Sequence, residues 1–171
     1  NWSSNQREYK AFDHNPLGNY YDEYISGSGH PTGWISFDFG SNNSKIISKY
    51  TLQGGYYNGE MPKNFQFQGS NNNANWITLD ERQDQIGWSV GAIRSYTFTN
   101  NSSYRYYRLN VTANENNPNY WGILEMQLMD AQSSSLLIIK NNKVGINKSS
   151  PEVPLDVVGD ANVSGRVVSS N

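Results

Sequence analysis

Apolar side chains recur at every second position in several short stretches of this 171-residue chain. Ile35, Phe37 and Phe39 alternate with Trp34, Ser36 and Asp38. Phe65 and Phe67 share one side of residues 64–68; Tyr107, Leu109 and Val111 alternate around Arg108, and Leu124, Met126 and Leu128 around Glu125. A period of two sends successive side chains to opposite faces, so each stretch predicts a strand with one buried face. Strands are expected at 34–39, 45–53, 64–68, 76–79 and 94–99, and on either side of a polar loop at 113–120. Gly40 with Ser41-Asn42-Asn43-Ser44 closes the first, and Gly54-Gly55 opens a loop over 56–63. Residues 1–33 lack a period and read as loop with short strand fragments.

Helical periodicity is almost absent. Sheet faces this rich in Phe, Tyr and Trp must be covered by a second sheet, which predicts an all-β sandwich or jelly roll. After Met129 the texture changes: residues 136–140, 143–146, 155–158 and 162–168 are brief apolar pieces between Gly, Asn and Pro turns. A main domain over 1–131 and a β-rich stem over 132–171 are expected. The stem is too small to bury a core alone, so it is expected to assemble with identical copies.

Composition narrows the function. A net charge of −2 and a pI near 5.6 offer no basic stripe for phosphates, which argues against nucleic acid and weakens an anionic membrane surface as partner. No apolar stretch is long enough to be a transmembrane segment, and the absence of Cys excludes disulfides and thiolate metal sites. Two His and acids such as Asp80-Glu81, adjacent where a turn is expected, supply no oriented nucleophile or facing carboxylates, so no enzyme is expected. The chain begins at Asn1, which reads as an excised fragment, and its Asn-X-Ser/Thr sequons are those that chance supplies in so Asn- and Ser-rich a sequence.

Five motifs then occur in order: Ala11-Phe12-Asp13, Trp34 to Gly40, Phe65 to Trp76, Tyr106-Tyr107-Arg108-Leu109 and Gly122-Ile123-Leu124-Glu125. With these, residues 1 to about 130 resemble the discoidin, or coagulation-factor C-type, family, which includes the family-32 carbohydrate-binding modules. The resemblance implies an eight-stranded jelly roll with ligand loops at one end. The tail, from Lys143 to Pro151 and from Leu155 to Gly165, looks like linker repeats of phage and large-virus fibres, which are generally homotrimers.

The resemblance also implies calcium. A turn carrying Asp13 and Asn15 beside a strand bearing Glu125 offers the hard oxygens that calcium needs. Asp13 and Glu125 match the family's side-chain ligands, with the carbonyls of Lys10, Asn15 and Leu124 as companions. His14 and a Thr-free stretch stand where the family has Gly and then a Thr ligand. The plain alternative is that Asp13 caps a turn and Glu125 pairs with an Arg.

Sugars present C–H faces to aromatic rings and hydroxyls to planar polar groups. Such groups gather on three loops: Tyr24 and His30; Tyr56, Tyr57, Asn58 and Glu60; and Asn117, Asn119, Tyr120 and Trp121. Met61 replaces the family's frequent sugar-binding Arg. Plain readings stand beside these: Trp121 as packing at a strand start, and His30 beside Pro31 as part of a turn. Trp34, Trp76, Phe65 and Phe67 are assigned to the fold, and Arg105 and Arg108 to pairing on the sheet. The expectation is a non-catalytic carbohydrate-binding, receptor-recognition domain of a trimeric viral or phage fibre-like protein, at the virion surface or fibre tip, with a cell-surface glycan or glycoprotein as partner. The alternatives are a lipid- or protein-binding domain of a secreted or bacterial surface adhesin, with Tyr56, Tyr57 and Met61 as apolar spikes, or a purely structural fibre module.

Overall fold

The computed structural model describes residues 8–15, 23–57, 59–130, 137–146 and 152–157. A 3₁₀ turn, η1 (Glu8–Phe12), precedes β1 (Tyr24–Ile25), β2 (Gly33–Asp38), β3 (Ile47–Gly54) and β4 (Pro62–Ser70). The chain continues through β5 (Ile77–Arg82), β6 (Ile93–Thr97), β7 (Tyr106–Asn114) and β8 (Gly122–Asp130). These eight strands form two antiparallel four-stranded sheets, ordered β1-β8-β3-β6 and β2-β7-β4-β5. The result is the expected all-β jelly-roll sandwich. No helix among the described residues is long and apolar enough to cross a membrane.

The alternating aromatics meet between the sheets. Tyr50 on β3 stacks on Phe67 of β4 (ring centroids 4.5 Å apart) and on Tyr96 of β6 (5.1 Å), and Phe67 stacks in turn on Tyr107 of β7 (5.4 Å). Offset rings add attraction to the large area they remove from water. Their hydroxyls are also satisfied: Tyr50 donates to Asp80 Oδ2 at 2.7 Å, and Tyr107 donates to the Lys45 carbonyl at 2.6 Å.

Several sequence expectations need correction. Asp80 and Glu81 lie within β5 rather than in a turn, so alternation separates them; Asp80 also accepts from Arg82 Nε at 2.8 Å, while Glu81 faces solvent. Trp34 is 55% exposed, because it lies on the β2 face opposite Ile35. Arg105 forms a two-pronged pair with Asp38 at 2.7 and 2.8 Å, and Arg108 lies 4.2 Å over the Trp76 ring, so both arginines do brace their sheet. On β8 the one-faced pattern fails: residues 122–126 are all buried, and η1, whose Ala11 joins the core cluster, packs against this strand.

The ladder register places four loops at one end. Pro62 pairs with Asn114, Gly33 with Val111, Ile25 with Gly122, Phe65 with Arg82 and Gln53 with Ile93. The β1–β2 (26–32), β3–β4 (55–61), β5–β6 (83–92) and β7–β8 (115–121) loops therefore emerge together.

The chain divides into two compact units, Asn1–Asp130 and Ala131–Asn171. The second contains β9 (Leu137–Lys140), β10 (Lys143–Ile146) and β11 (Leu155–Val157). β9 and β10 form an antiparallel hairpin whose two turn residues, Asn141 and Asn142, both have positive φ (52° and 59°). Asn tolerates that conformation, and such a turn matches the twist of a hairpin. β11 joins β10 in parallel. The piece expected at 162–168 lies outside the described residues.

Candidate functional site

The loops at the common end are bound to one another by hydrogen bonds. Ser26 Oγ accepts from the Trp121 N–H at 2.9 Å and donates to the His30 carbonyl at 2.6 Å, and the His30 N–H reaches the Asn119 carbonyl at 3.0 Å. The N–H groups of Asn116 and Asn117 both donate to the Gly59 carbonyl at 2.9 Å. Glu115 extends its carboxylate to the β5–β6 loop, accepting from the Gly87 N–H at 2.5 Å. All four loops are thus tied to a neighbour, which holds the surface in a defined shape before any ligand arrives.

Asn117 organises its own loop. Its Oδ1 accepts from the N–H groups of Asn119 (2.9 Å) and Tyr120 (3.0 Å), an Asx arrangement that fixes a turn without regular secondary structure. Its Nδ2 donates to Glu60 Oε1 at 3.1 Å. Asn114 supports the same turn by donating to the carbonyls of Asn117 and Tyr120.

This geometry sorts the predicted ligand residues. His30, Tyr56 and Asn119 are exposed, and Tyr57 and Tyr120 are half-buried. Trp121 is fully buried in the core cluster, with the Tyr24 ring edge-on at 5.0 Å, so its indole offers no face to a ligand. Tyr24 is a packing residue for the same reason, and burial pushes its phenol up to about 12. Glu60 is 4% exposed, and Asn117 spends its side chain on the loop; both position the surface rather than present it. Asn58 lies outside the described residues.

A groove of about 580 Å³ runs along the tied loops, lined by Gly59, Ile86, Glu115, Asn116, Asn117 and Pro118. Sequence reasoning missed Ile86 because the β5–β6 loop carries no aromatic cluster apart from Trp88, and missed Glu115 because the Asn residues and aromatics of the β7–β8 loop stand out beside it. Trp88 is buried, with Arg94 4.1 Å over its ring. The clue was the isolated apolar Ile86 among Gln, Asp and Gly.

The predicted calcium residues lie on the η1 side of the first sheet. Asp13 Oδ1 accepts from the Asn15 N–H at 3.1 Å, and Lys10 Nζ lies 3.5 Å from Asp13 Oδ2. Glu125 is 2% exposed, and neither of its carboxylate oxygens has a hydrogen-bond partner. It is pushed up to about 7, chiefly by burial; His14 opposes the shift, the nearby Asp13 charge adds to it, and the N–H groups of His14 and Asn15 approach without reaching bonding geometry. Pairing with an Arg, the plain alternative, is not what is found. The register slips opposite Leu124, from Gln53–Glu125 to Gly54–Ile123, which leaves Leu124 without a partner position on β3. Glu125 keeps both oxygens unsatisfied near the Asp13 charge, and hard oxygens of this kind are what calcium accepts; no group of three or more His, Cys, Asp or Glu that could hold a metal occurs among the described residues.

Residues 1–126 match the model of the F5/8 type C domain. The chain belongs to this family. The F5/8 type C fold here is similar to chitosan-binding module 2 from a Paenibacillus sp. IK-5 chitosanase/glucanase, solved with chitotriose (21% identity, 74% of this chain and 88% of the other, TM-score 0.59). It is also similar to a family 32 carbohydrate-binding module of Streptococcus pneumoniae EndoD (13%, 76% and 89%, 0.59) and to the lectin domain of lectinolysin complexed with Lewis B antigen (15%, 75% and 87%, 0.59). At these identities the likeness is one of fold. No curated protein matches the sequence.

Proposed function

We propose that this F5/8 type C domain is a non-catalytic glycan-binding module whose site is the groove between the β3–β4, β5–β6 and β7–β8 loops. The observation that carries the reading is the pre-tied loop surface, with Tyr56 and Asn119 exposed on two of the loops that form a groove lined by Asn116 and Glu115. A tyrosine face and planar amides suit a sugar's C–H face and hydroxyls. The similar modules solved with chitotriose and Lewis B antigen support the same class of ligand. Met61 is fully buried and leaves no Arg at that place, so recognition rests on amide and carboxylate groups.

In this reading calcium is held by Asp13 and Glu125, with carbonyls of Lys10, Asn15 and Leu124. It would neutralise the buried Glu125 carboxylate and clamp η1 onto β8. The stem assembles as a homotrimer, and the whole is the receptor-recognition part of a fibre-like protein at a virion surface or fibre tip. Three weak sites on one tip gain avidity without new contacts.

The decisive experiment is a glycan array on the full chain with and without calcium, repeated with Tyr56→Ala and Asn119→Ala. Loss of binding in both variants with unchanged folding supports the groove; unchanged binding in both removes it. One observation favours a second reading: Ile86, Val90 and Ile93 are 61%, 49% and 63% exposed at the loop end, as apolar spikes for a lipid surface would be. Vesicle sedimentation with the triple change to Ser separates the two.

A further inference from the structure

Two carboxylates that the proposed calcium site does not use are buried beneath the loop surface. Glu23 is fully buried and Glu60 is 4% exposed. They come from different segments, just before β1 and in the β3–β4 loop. Glu60 borders Gly122 at the start of β8 and Glu23 borders Gly55 beside it: a Cβ added at Gly122 would lie 3.7 Å from Glu60 Oε2, and one added at Gly55 would lie 2.6 Å from Glu23 Oε2 and 3.8 Å from the Gly122 carbonyl carbon. Any side chain at Gly55 would displace the Glu23 carboxylate.

Each carboxylate has one satisfied oxygen and one orphan. Glu23 Oε2 accepts from the Tyr56 N–H at 2.7 Å, and Glu60 Oε1 from Asn117 Nδ2 at 3.1 Å. Glu23 Oε1 and Glu60 Oε2 are buried without any partner. The ion pairs formed among the described residues engage Asp13, Asp38, Asp80 and Asp84 instead. Burial pushes each acid up to about 7, and the charge on Glu23 adds to the shift of Glu60. Two adjacent buried negative charges without a counter-charge are costly.

We infer that Glu23 and Glu60 form a second cation site, in which a divalent ion of the oxygen-preferring class bridges Glu23 Oε1 and Glu60 Oε2. Hard cations accept carboxylate oxygens completed by water. The site's two carboxylates are both buried, which leaves it closed to an amino sugar's ring. Its consequence is mechanical: the ion joins the strand before the β1–β2 loop to the β3–β4 loop, and through Asn117 to the β7–β8 loop, so it stiffens the whole loop surface. It is separate from the Asp13–Glu125 site, which lies beside η1.

Terbium luminescence sensitised by the protein's aromatic rings tests this on the full chain, with the metal alone as probe. Trp121, Tyr24 and Tyr56 lie next to these carboxylates. In a Glu125→Gln background, terbium binding persists; adding Glu23→Gln or Glu60→Gln weakens it by about tenfold or more, and adding the exposed control Asp84→Asn leaves it unchanged. In chelator, both Gln variants melt at or above the parent temperature, since each removes an unpaired buried charge and keeps the side-chain shape. The inference is overturned if Glu125→Gln abolishes all terbium signal. It is equally overturned if the Gln variants bind terbium like their parent, or if the pair responds to pH and not to metal, which is the behaviour of a shared proton.

Discussion

The side-chain amide of Asn117 donates to Glu60 Oε1 across 3.1 Å, joining two loops 57 residues apart in sequence. The same side chain caps its own turn through its oxygen, so one residue fixes both the shape and the position of the β7–β8 loop. Asn117→Ala is expected to destabilise the domain by about 1–3 kcal/mol, because Glu60 is left buried with a further unsatisfied oxygen. Glycan affinity falls with it. Chemical denaturation beside titration with a binding sugar checks this, and Asn117→Asp fares no better, since it sets a second carboxylate against Glu60.

Trp121 and Tyr56 should separate stability from recognition. Trp121→Ala opens a large cavity in the core and is expected to cost about 3–5 kcal/mol, with binding lost only as folding is lost. Tyr56→Ala, at an exposed ring, is expected to stay within about 0.5 kcal/mol while lowering affinity. Thermal melts and glycan titrations on the same preparations decide it; selective loss of binding in a fully folded Trp121→Ala protein contradicts the burial argument.

Stability in chelator is expected to fall as pH rises from about 4.5 to about 7 and then level off. Glu23, Glu60 and Glu125 titrate near 4.5 when unfolded and are raised to about 7 in the folded chain by burial. In that window the folded state binds more protons than the unfolded state, so raising pH favours unfolding. The loss is on the order of 3 kcal/mol for one such group, less where Glu23 and Glu60 share a proton. Calcium should remove the part due to Glu125 and, if it occupies the second site, that due to Glu23 and Glu60 as well. Urea denaturation at about pH 5 and about pH 8, with and without calcium, reads this directly.

The stem carries the assembly prediction. Light scattering on the full chain is expected to give a trimer, and a chain ending at Asp130 a monomer that still binds glycan with lower avidity. A monomeric full chain removes the trimer.

Period-two alternation made the sandwich readable because Tyr50, Phe67 and Tyr107 each face a single core. It misjudged β8, since alternation assumes an open second face, whereas Glu125 is buried there near Asp13 and His14. The ligand side was less legible. Trp121 and Tyr56 both stand at loop edges beside glycine, yet Trp121 turns into the core cluster, with Tyr24 packed against it, while Tyr56 stays exposed. Glu23 had no local signal, because its burial and its neighbour Glu60 come from a separate segment of chain.

Ser26 bonds to both His30 and Trp121, and with that single hydroxyl the backbone of two loops becomes one piece. Change at this end of the molecule is then cheapest in exposed side chains outside that bond, namely His30, Asn116 and Asn119. The surface resembles a fixed palm with exchangeable fingertips, and a library varied at those three positions alone would explore new specificities without re-solving the fold.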